Sequence, residues 1–124
     1  MRERARDRGR LLDIAEHAKN VAVMMEGVTY ESFLSDIRTY YAVMKNVEIV
    51  GEAAYMLTSD FKDAHPLTPW KTVQGMRHVL VHDYANVIPA TLFDTATVGI
   101  PELRRQAERY LAETDWEGWE SGCE

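Results

Sequence analysis

The amino-acid sequence predicts an all-α protein, an antiparallel bundle of four to five helices. Apolar residues recur at i, i+3, i+4 and i+7 along nearly the whole chain, which is the spacing of one helical face. Alternating apolar and polar residues, the pattern of a half-buried strand, never extend beyond a few positions. Several glycine and proline residues, among them Gly27, Pro66 and Pro89, fall between the periodic segments, where helix ends are expected.

Size and composition are those of one globular domain. The chain has 124 residues, of which 46% are hydrophobic and 27% are charged, and these values exclude an intrinsically disordered protein. We expect a single helical domain over residues 1–112, with a basic arm at 1–10 and an acidic tail at 113–124. The formal net charge of -6 argues against a protein that coats nucleic acid by bulk positive charge.

Cysteine content and hydropathy predict a cytoplasmic protein that does not associate with membranes. The single cysteine, Cys123, excludes an intramolecular disulfide and indicates a reducing compartment. The first residues lack the apolar region of a secretory signal. No apolar run approaches the ~20 residues that a membrane-spanning helix needs.

The first predicted helix carries an apolar face that begins at Leu11 and ends at Met25. Gly27 lies just past this face, where a glycine C-cap is expected. Thr29 is a candidate N-cap for the second helix, because its hydroxyl can accept a hydrogen bond from the first helical turn.

One continuous apolar stripe, from Phe33 to about Leu57, predicts a single long second helix. Gly51 lies on this stripe, although a glycine inside a helix costs about 1 kcal/mol relative to alanine. We therefore expect another helix to approach closely at Gly51, and we interpret this position as a sign of a second chain nearby. Residues 60–68, which contain Pro66, predict a loop.

The third predicted helix covers Trp70–His82. Thr68 and Pro69 precede it and suggest an N-cap followed by a proline at the first helical position. The apolar residues 79–81 are expected to hold this helix against the core.

The last predicted helical segment begins at Pro89 and is interrupted at Gly99 and Pro101. Beyond it, the acidic tail contains Trp116 and Trp119, which are expected to cap the bundle.

Residues 75–84 are the part of the chain best equipped for chemistry, because they combine one arginine, two histidines, an aspartate and a tyrosine. Glycine-rich phosphate loops, paired-cysteine metal sites and the nucleophile elbow of hydrolases are missing. One interpretation is a metal site, since His78 and His82 are four residues apart and share a helical face. A third ligand is not evident, so we expect neither a metal nor a cofactor.

The other interpretation is cleavage of RNA by its own 2′-OH. This reaction needs groups that transfer protons near neutral pH, which suits His82, and a cation for the phosphate, which suits Arg77. At about 100° per residue, the two side chains lie ~140° apart around an ideal helix, so one helical face does not hold both. From spacing alone, the alternative remains that Arg77 and His82 only cap and neutralise the end of a helix.

Arg77, His82 and Tyr84 form a pattern, R-x-x-x-x-H-x-Y, that resembles the motif of HepT-like toxins in the HEPN superfamily. The resemblance covers about residues 10–112 and includes the segments 46–53, 69–71, 75–77, 80–84, 92–93 and 101–103. Members of this family usually carry a polar residue, often Asn or Asp, directly after the motif arginine, and this chain has the polar His78 there.

The resemblance implies an all-helical homodimer in which two copies of the motif face one cleft. It implies a metal-independent ribonuclease toxin of a type VII-like toxin–antitoxin system, with RNA as its substrate. Arg77 and His82 would be catalytic, and His78 and Asp83 would support them. The partner would be an antitoxin of the minimal nucleotidyltransferase type, which transfers AMP from ATP to the motif tyrosine, here Tyr84, and so blocks the nuclease.

A second class of function remains open, because a fold does not guarantee an activity. The chain would then be a noncatalytic helical module that uses the same groove for a nucleotide or a partner protein. The acidic net charge favours this module, whereas the intact motif favours the enzyme.

Overall fold

A computed structural model describes residues 3–122 of the protein, with the side chain of Tyr84 outside the described part. Every regular element in this part is helical, so the predicted all-α class is confirmed. The helices are α1 (Asp7–Met24), α2 (Tyr30–Ser35), α3 (Ile37–Met56), α4 (Ser59–Ala64), α5 (Trp70–His82), α6 (Pro89–Asp94), α7 (Ile100–Glu113) and α8 (Trp116–Glu120).

Helix α1 lies at the centre of the bundle, between α3 and α7, and α5 packs on α3. The largest fully buried apolar side chains come from several of these elements and include Leu11, Ile14, Phe33, Val43, Val50, Phe61 and Leu92. Burial of such apolar surface is the main force that holds the helices together. None of the described helices is both long and apolar enough to cross a membrane.

The predicted signals between the first two helices are confirmed. Gly27 has a φ of 72°, the left-handed conformation that favours glycine after a helix. Thr29 forms a capping box with Ser32, in which each side chain accepts a hydrogen bond from the backbone of the other residue.

The predicted long second helix is wrong, because Asp36 divides it into α2 and α3. The backbone of Asp36 is extended, and its carboxylate accepts hydrogen bonds from the backbone N–H groups of Arg38 and Thr39. The Thr39 hydroxyl donates a further bond to it, and these bonds lower the pKa of Asp36. A short acidic side chain competes with the helix for backbone donors, so it starts a new helix here.

The loop predicted for residues 60–68 is also partly wrong. The Thr58 hydroxyl caps the short helix α4 there by accepting a hydrogen bond from the backbone N–H of Phe61. The predicted N-cap at Thr68 is wrong. The N-cap of α5 is Pro69, and no side chain caps this helix. The Thr68 hydroxyl bonds instead to Gln106 and Tyr110, which ties the start of α5 to α7.

The interruption predicted at Gly99 and Pro101 is wrong, because the chain stays helical from α6 to α7. Residues Thr95–Gly99 form a π-helical turn between them. Pro101 lies in the first turn of α7, where a proline is tolerated.

The acidic tail folds back onto the start of the chain, as expected for its two tryptophans. Trp116 stacks on Phe61, and the Trp119 indole N–H donates to the carboxylate of Asp7 at 3.0 Å. Asp7 is fully buried and also accepts two hydrogen bonds from Thr58, so one carboxylate joins the starts of α1 and α4 to the tail. Cys123 lies outside the described residues.

Candidate active site on helix α5

Helix α5 lies at the surface of the described structure and packs mainly on α3. Trp70 and Leu80 are its buried residues. Val79 and Val81 are each 38% exposed, so the prediction that residues 79–81 hold the helix against the core is right only for Leu80. The reason is that a helix packed mainly on one neighbour buries a single stripe of side chains.

Arg77 extends from α5 to α3. Its Nε donates to Oε1 of Glu52 at 2.6 Å, and its guanidinium carbon lies 4.5 Å from the centre of the Tyr55 ring. The Arg77 side chain is 21% exposed and that of Glu52 is 49% exposed. The Arg77 cation is therefore held on two sides and remains accessible at the surface of the protein.

Helices α3 and α5 approach each other closely at Gly51. A Cβ at Gly51 would lie 2.5 Å from the Cβ of Arg77 and 3.1 Å from its Cα. The predicted close approach at Gly51 is confirmed, but the neighbour is α5 of the same chain. Gly51 is thus not a sign of a second chain, and the tight contact sets the position of Arg77.

Gly51→Ala is expected to destabilise the protein by about 1–3 kcal/mol, because the added methyl group forces α5 away from α3. Gly9→Ala is the matched control, since Gly9 is also helical and a Cβ there meets nothing within 4 Å. That control should be neutral or more stable by up to about 1 kcal/mol. Urea denaturation measures both effects, and equal stability of the two variants would contradict the tight contact.

His78 and His82 form an exposed pair on α5. Their ring centres are 4.8 Å apart and the rings are inclined by 52°. Within the described part of the chain, no third His, Cys, Asp or Glu side chain joins them in a group that could hold a metal ion. The pair places two imidazoles side by side in the last turns of a helix.

One copy of the chain does not bring Arg77 and His82 into a shared contact. Arg77 is bound to α3, whereas His82 is exposed and its ring lies against that of His78 in a tilted arrangement. This separation agrees with the ~140° expected for an ideal helix. A site that uses both groups on one phosphate therefore needs a long reach or a second copy.

The residues after His82 leave the helix. Asp83 ends α5, and its carboxylate accepts a hydrogen bond from the side-chain amide of Asn86 at 2.7 Å. Tyr84 begins a short 3₁₀ turn, Tyr84–Asn86. If α5 continued, Tyr84 would lie seven residues beyond Arg77 and on nearly the same side of the helix. Because α5 ends at His82, this helical spacing does not apply to Tyr84, whose side chain lies outside the described part.

Glu48 and Glu52 are four residues apart on one face of α3, so spacing alone allows either to pair with Arg77. Glu52 is the one that does, and Tyr55 joins it. The other candidate, Glu48, pairs with Lys45 at 3.5 Å instead. Glu52 and Tyr55 are three residues apart and share a face of α3, which is the one signal that links them in the sequence.

Comparison with known proteins identifies relatives over most of the chain. The family model described as "Ribonuclease HepT-like" matches residues 14–110. "Probable ribonuclease HepT" of Thermococcus cleftensis is 36% identical over 99 residues, which are 80% of this chain and 90% of that protein.

Two proteins of Methanocaldococcus jannaschii whose names read "Putative RNase" are similarly close. One is 30% identical over 105 residues, which cover 85% of this chain and 87% of the relative. The other is 31% identical over 98 residues, which cover 79% of this chain and 90% of that relative. No solved structure matches the chain significantly. The extent of these matches shows that the chain belongs to the HepT-like ribonuclease family.

Proposed function

We propose that this protein is a metal-independent endoribonuclease and the toxin of a type VII-like toxin–antitoxin system. Family membership and relatives named as ribonucleases support this proposal. The observation that carries it is the arrangement on α5, where a guanidinium is held at the surface and an imidazole pair is exposed on the same helix. These are the groups that cleavage of a phosphodiester by a neighbouring hydroxyl requires.

In the proposed reaction the 2′-oxygen of a ribose attacks the adjacent phosphorus. The imidazole of one His82 takes the proton of the 2′-OH. The bond from phosphorus to the 5′-oxygen of the next nucleotide breaks, and a second imidazole gives that oxygen a proton. Arg77 donates hydrogen bonds to the non-bridging oxygens as negative charge develops on them. The products are a 2′,3′-cyclic phosphate and a 5′-OH, and the scheme uses no metal.

The reaction needs two imidazoles and a cation around one phosphate, so we propose that two copies of α5 face each other. The exposure of Val79 and Val81 on α5 supports this pairing. Gly75 supports it further, because it is an exposed glycine inside the helix and a Cβ there meets nothing within 4 Å in its own chain. Nothing in its own chain explains a glycine at this position, so it fits the close approach of a helix from a second copy.

Light scattering tests the pairing. At micromolar concentration the wild type is expected to have twice the 14.2 kDa mass of one chain. Gly75→Leu should shift the protein toward the monomer and lower RNA cleavage, because the larger side chain separates the two helices. Gly9→Leu on α1, another open glycine, is the matched control and should stay dimeric. A monomeric wild type with full activity would contradict the proposal.

The proposed partner in the cell is an antitoxin of the minimal nucleotidyltransferase type in the cytoplasm. It would transfer AMP from ATP to the hydroxyl of Tyr84, with loss of pyrophosphate. Tyr84 directly follows the residue that ends α5, so a nucleotide attached there is joined to the chain within two residues of His82. His78 and Asp83 are proposed to support His82. The ring of His78 contacts that of His82, and the carboxylate of Asp83 accepts a hydrogen bond from Asn86.

A further inference from the structure

The guanidinium of Arg77 is restrained by two side chains of α3. Glu52 accepts a hydrogen bond from Nε, and the ring of Tyr55 covers one face of the cation. Arginine is a planar fork with five N–H donors, so a partner at Nε leaves the two terminal nitrogens free to donate. Among the side chains that the structure describes, none accepts a hydrogen bond from these terminal nitrogens.

Restraint of this kind matters because a free arginine side chain samples many rotamers. A cation that already has the right orientation needs no reorganisation when charge develops on the phosphate. Gly51 adds to the restraint, since the contact between its backbone and Arg77 fixes where the side chain leaves α5. The Arg77 side chain is thus fixed at its base by Gly51, at its Nε by Glu52 and on one face by Tyr55.

We infer that Glu52 and Tyr55 are positioning residues, which orient Arg77 so that its terminal nitrogens bind the phosphate of the RNA that is cleaved. This inference rests on the proposed ribonuclease function. Glu52 does not touch the RNA in this role, because its negative charge would repel the phosphate. It acts through Arg77, and its effect therefore requires the arginine.

Glu52→Ala is expected to lower kcat about ten- to a hundred-fold while KM stays the same or falls, because the carboxylate aligns the cation but also repels RNA. Glu52→Gln keeps an oxygen that can accept from Nε and should recover most of kcat. Glu48→Ala is the matched control, since Glu48 lies one turn earlier on α3 and pairs with Lys45. It should cleave RNA like the wild type.

Tyr55→Leu should lower kcat by about two- to five-fold and Tyr55→Phe should have no effect, because phenylalanine keeps the ring that covers the cation. Tyr41→Leu is the control for this pair. Tyr41 is a similarly exposed tyrosine of α3, and its ring contacts Tyr40 rather than Arg77.

A double-mutant cycle with Arg77→Lys distinguishes positioning from a general structural role. Lysine keeps the charge but has no Nε–H fork for Glu52 to hold. Adding Glu52→Ala to Arg77→Lys should therefore change kcat by less than about two-fold. If Arg77→Lys has no measurable activity, the comparison of Glu52→Ala with Glu52→Gln decides. A Glu52→Gln variant that cleaves RNA no faster than Glu52→Ala would then overturn the inference.

Other outcomes separate the inference from the proposed function. Undiminished cleavage by Glu52→Ala, or the same loss in the wild-type and Arg77→Lys backgrounds, would overturn the inference and leave the ribonuclease standing. A wild type that leaves RNA intact would overturn the ribonuclease and the inference with it.

Discussion

Arg77→Ala and His82→Ala are each expected to lower RNA cleavage by about 10²–10⁴-fold, which is typical for the loss of one acid–base or charge-stabilising group. Neither change should unfold the protein, because Arg77 is accessible at the surface and His82 is exposed. His78→Ala should have a smaller effect, since His78 contacts the imidazole of His82 but is not proposed to transfer a proton itself.

The measurement is cleavage of a mixed-sequence RNA in the presence of EDTA, with analysis of the product ends. Arg109→Ala on α7 is a suitable control, because it removes an exposed arginine from another face of the molecule. EDTA should have no effect on the wild type. Strong inhibition by EDTA that zinc reverses would overturn the metal-independent mechanism. Normal cleavage by both alanine variants would show that Arg77 and His82 are not the catalytic groups, and a wild type that leaves RNA intact would favour the noncatalytic binding module.

Mixing the two inactive variants tests whether the reaction needs both imidazoles. After subunit exchange, about half of the pairs should contain one chain of each variant, and each such pair keeps one Arg77 and one His82. These mixed pairs are expected to remain inactive, because the proposed reaction needs a second imidazole to protonate the leaving oxygen. Partial recovery of cleavage would show that one Arg77 and one His82 in a shared site are enough, and it would contradict the role of the second imidazole.

Tyr84→Phe is expected to cleave RNA like the wild type and to escape control by AMP transfer. Phenylalanine keeps the aromatic ring but lacks the hydroxyl that accepts the nucleotide. In the wild type, the attached phosphate would compete with RNA for Arg77, and the nucleotide would fill the cleft that RNA needs. Cleavage by the wild type should therefore stop without unfolding.

The test is to incubate each protein with ATP and the proposed nucleotidyltransferase antitoxin and then to measure the mass of the intact chains. The wild type should gain one or more AMP units, and Tyr84→Phe should gain none. Tyr41→Phe removes an exposed tyrosine of α3 and should gain the same mass as the wild type. Equal gain on Tyr84→Phe would mean that another tyrosine is the acceptor, and no gain on any protein would leave inhibition by binding alone.

Local signals in the sequence correctly predicted several helix limits. Thr29 and Gly27 act through their own backbone and the next turn, so their roles are visible without the rest of the fold. The same kind of signal was missed at Asp36, where a continuous apolar stripe hid an N-cap. Gly99 and Pro101 led to the opposite error, since they predicted a break where the chain stays helical. Gly99 belongs to a π-helical turn, and Pro101 lies in the first turn of α7.

For the site, the sequence by itself determined the residue types, their order on α5 and the family to which the chain belongs. It also determined that Arg77 and His82 lie on different sides of a helix, since this follows from helical geometry alone. Only the tertiary structure decided that Glu52, rather than Glu48, binds Arg77 and that Tyr55 covers it. Those contacts join residues more than twenty positions apart, and the approach of α5 to α3 at Gly51 sets them, which spacing along one helix does not encode.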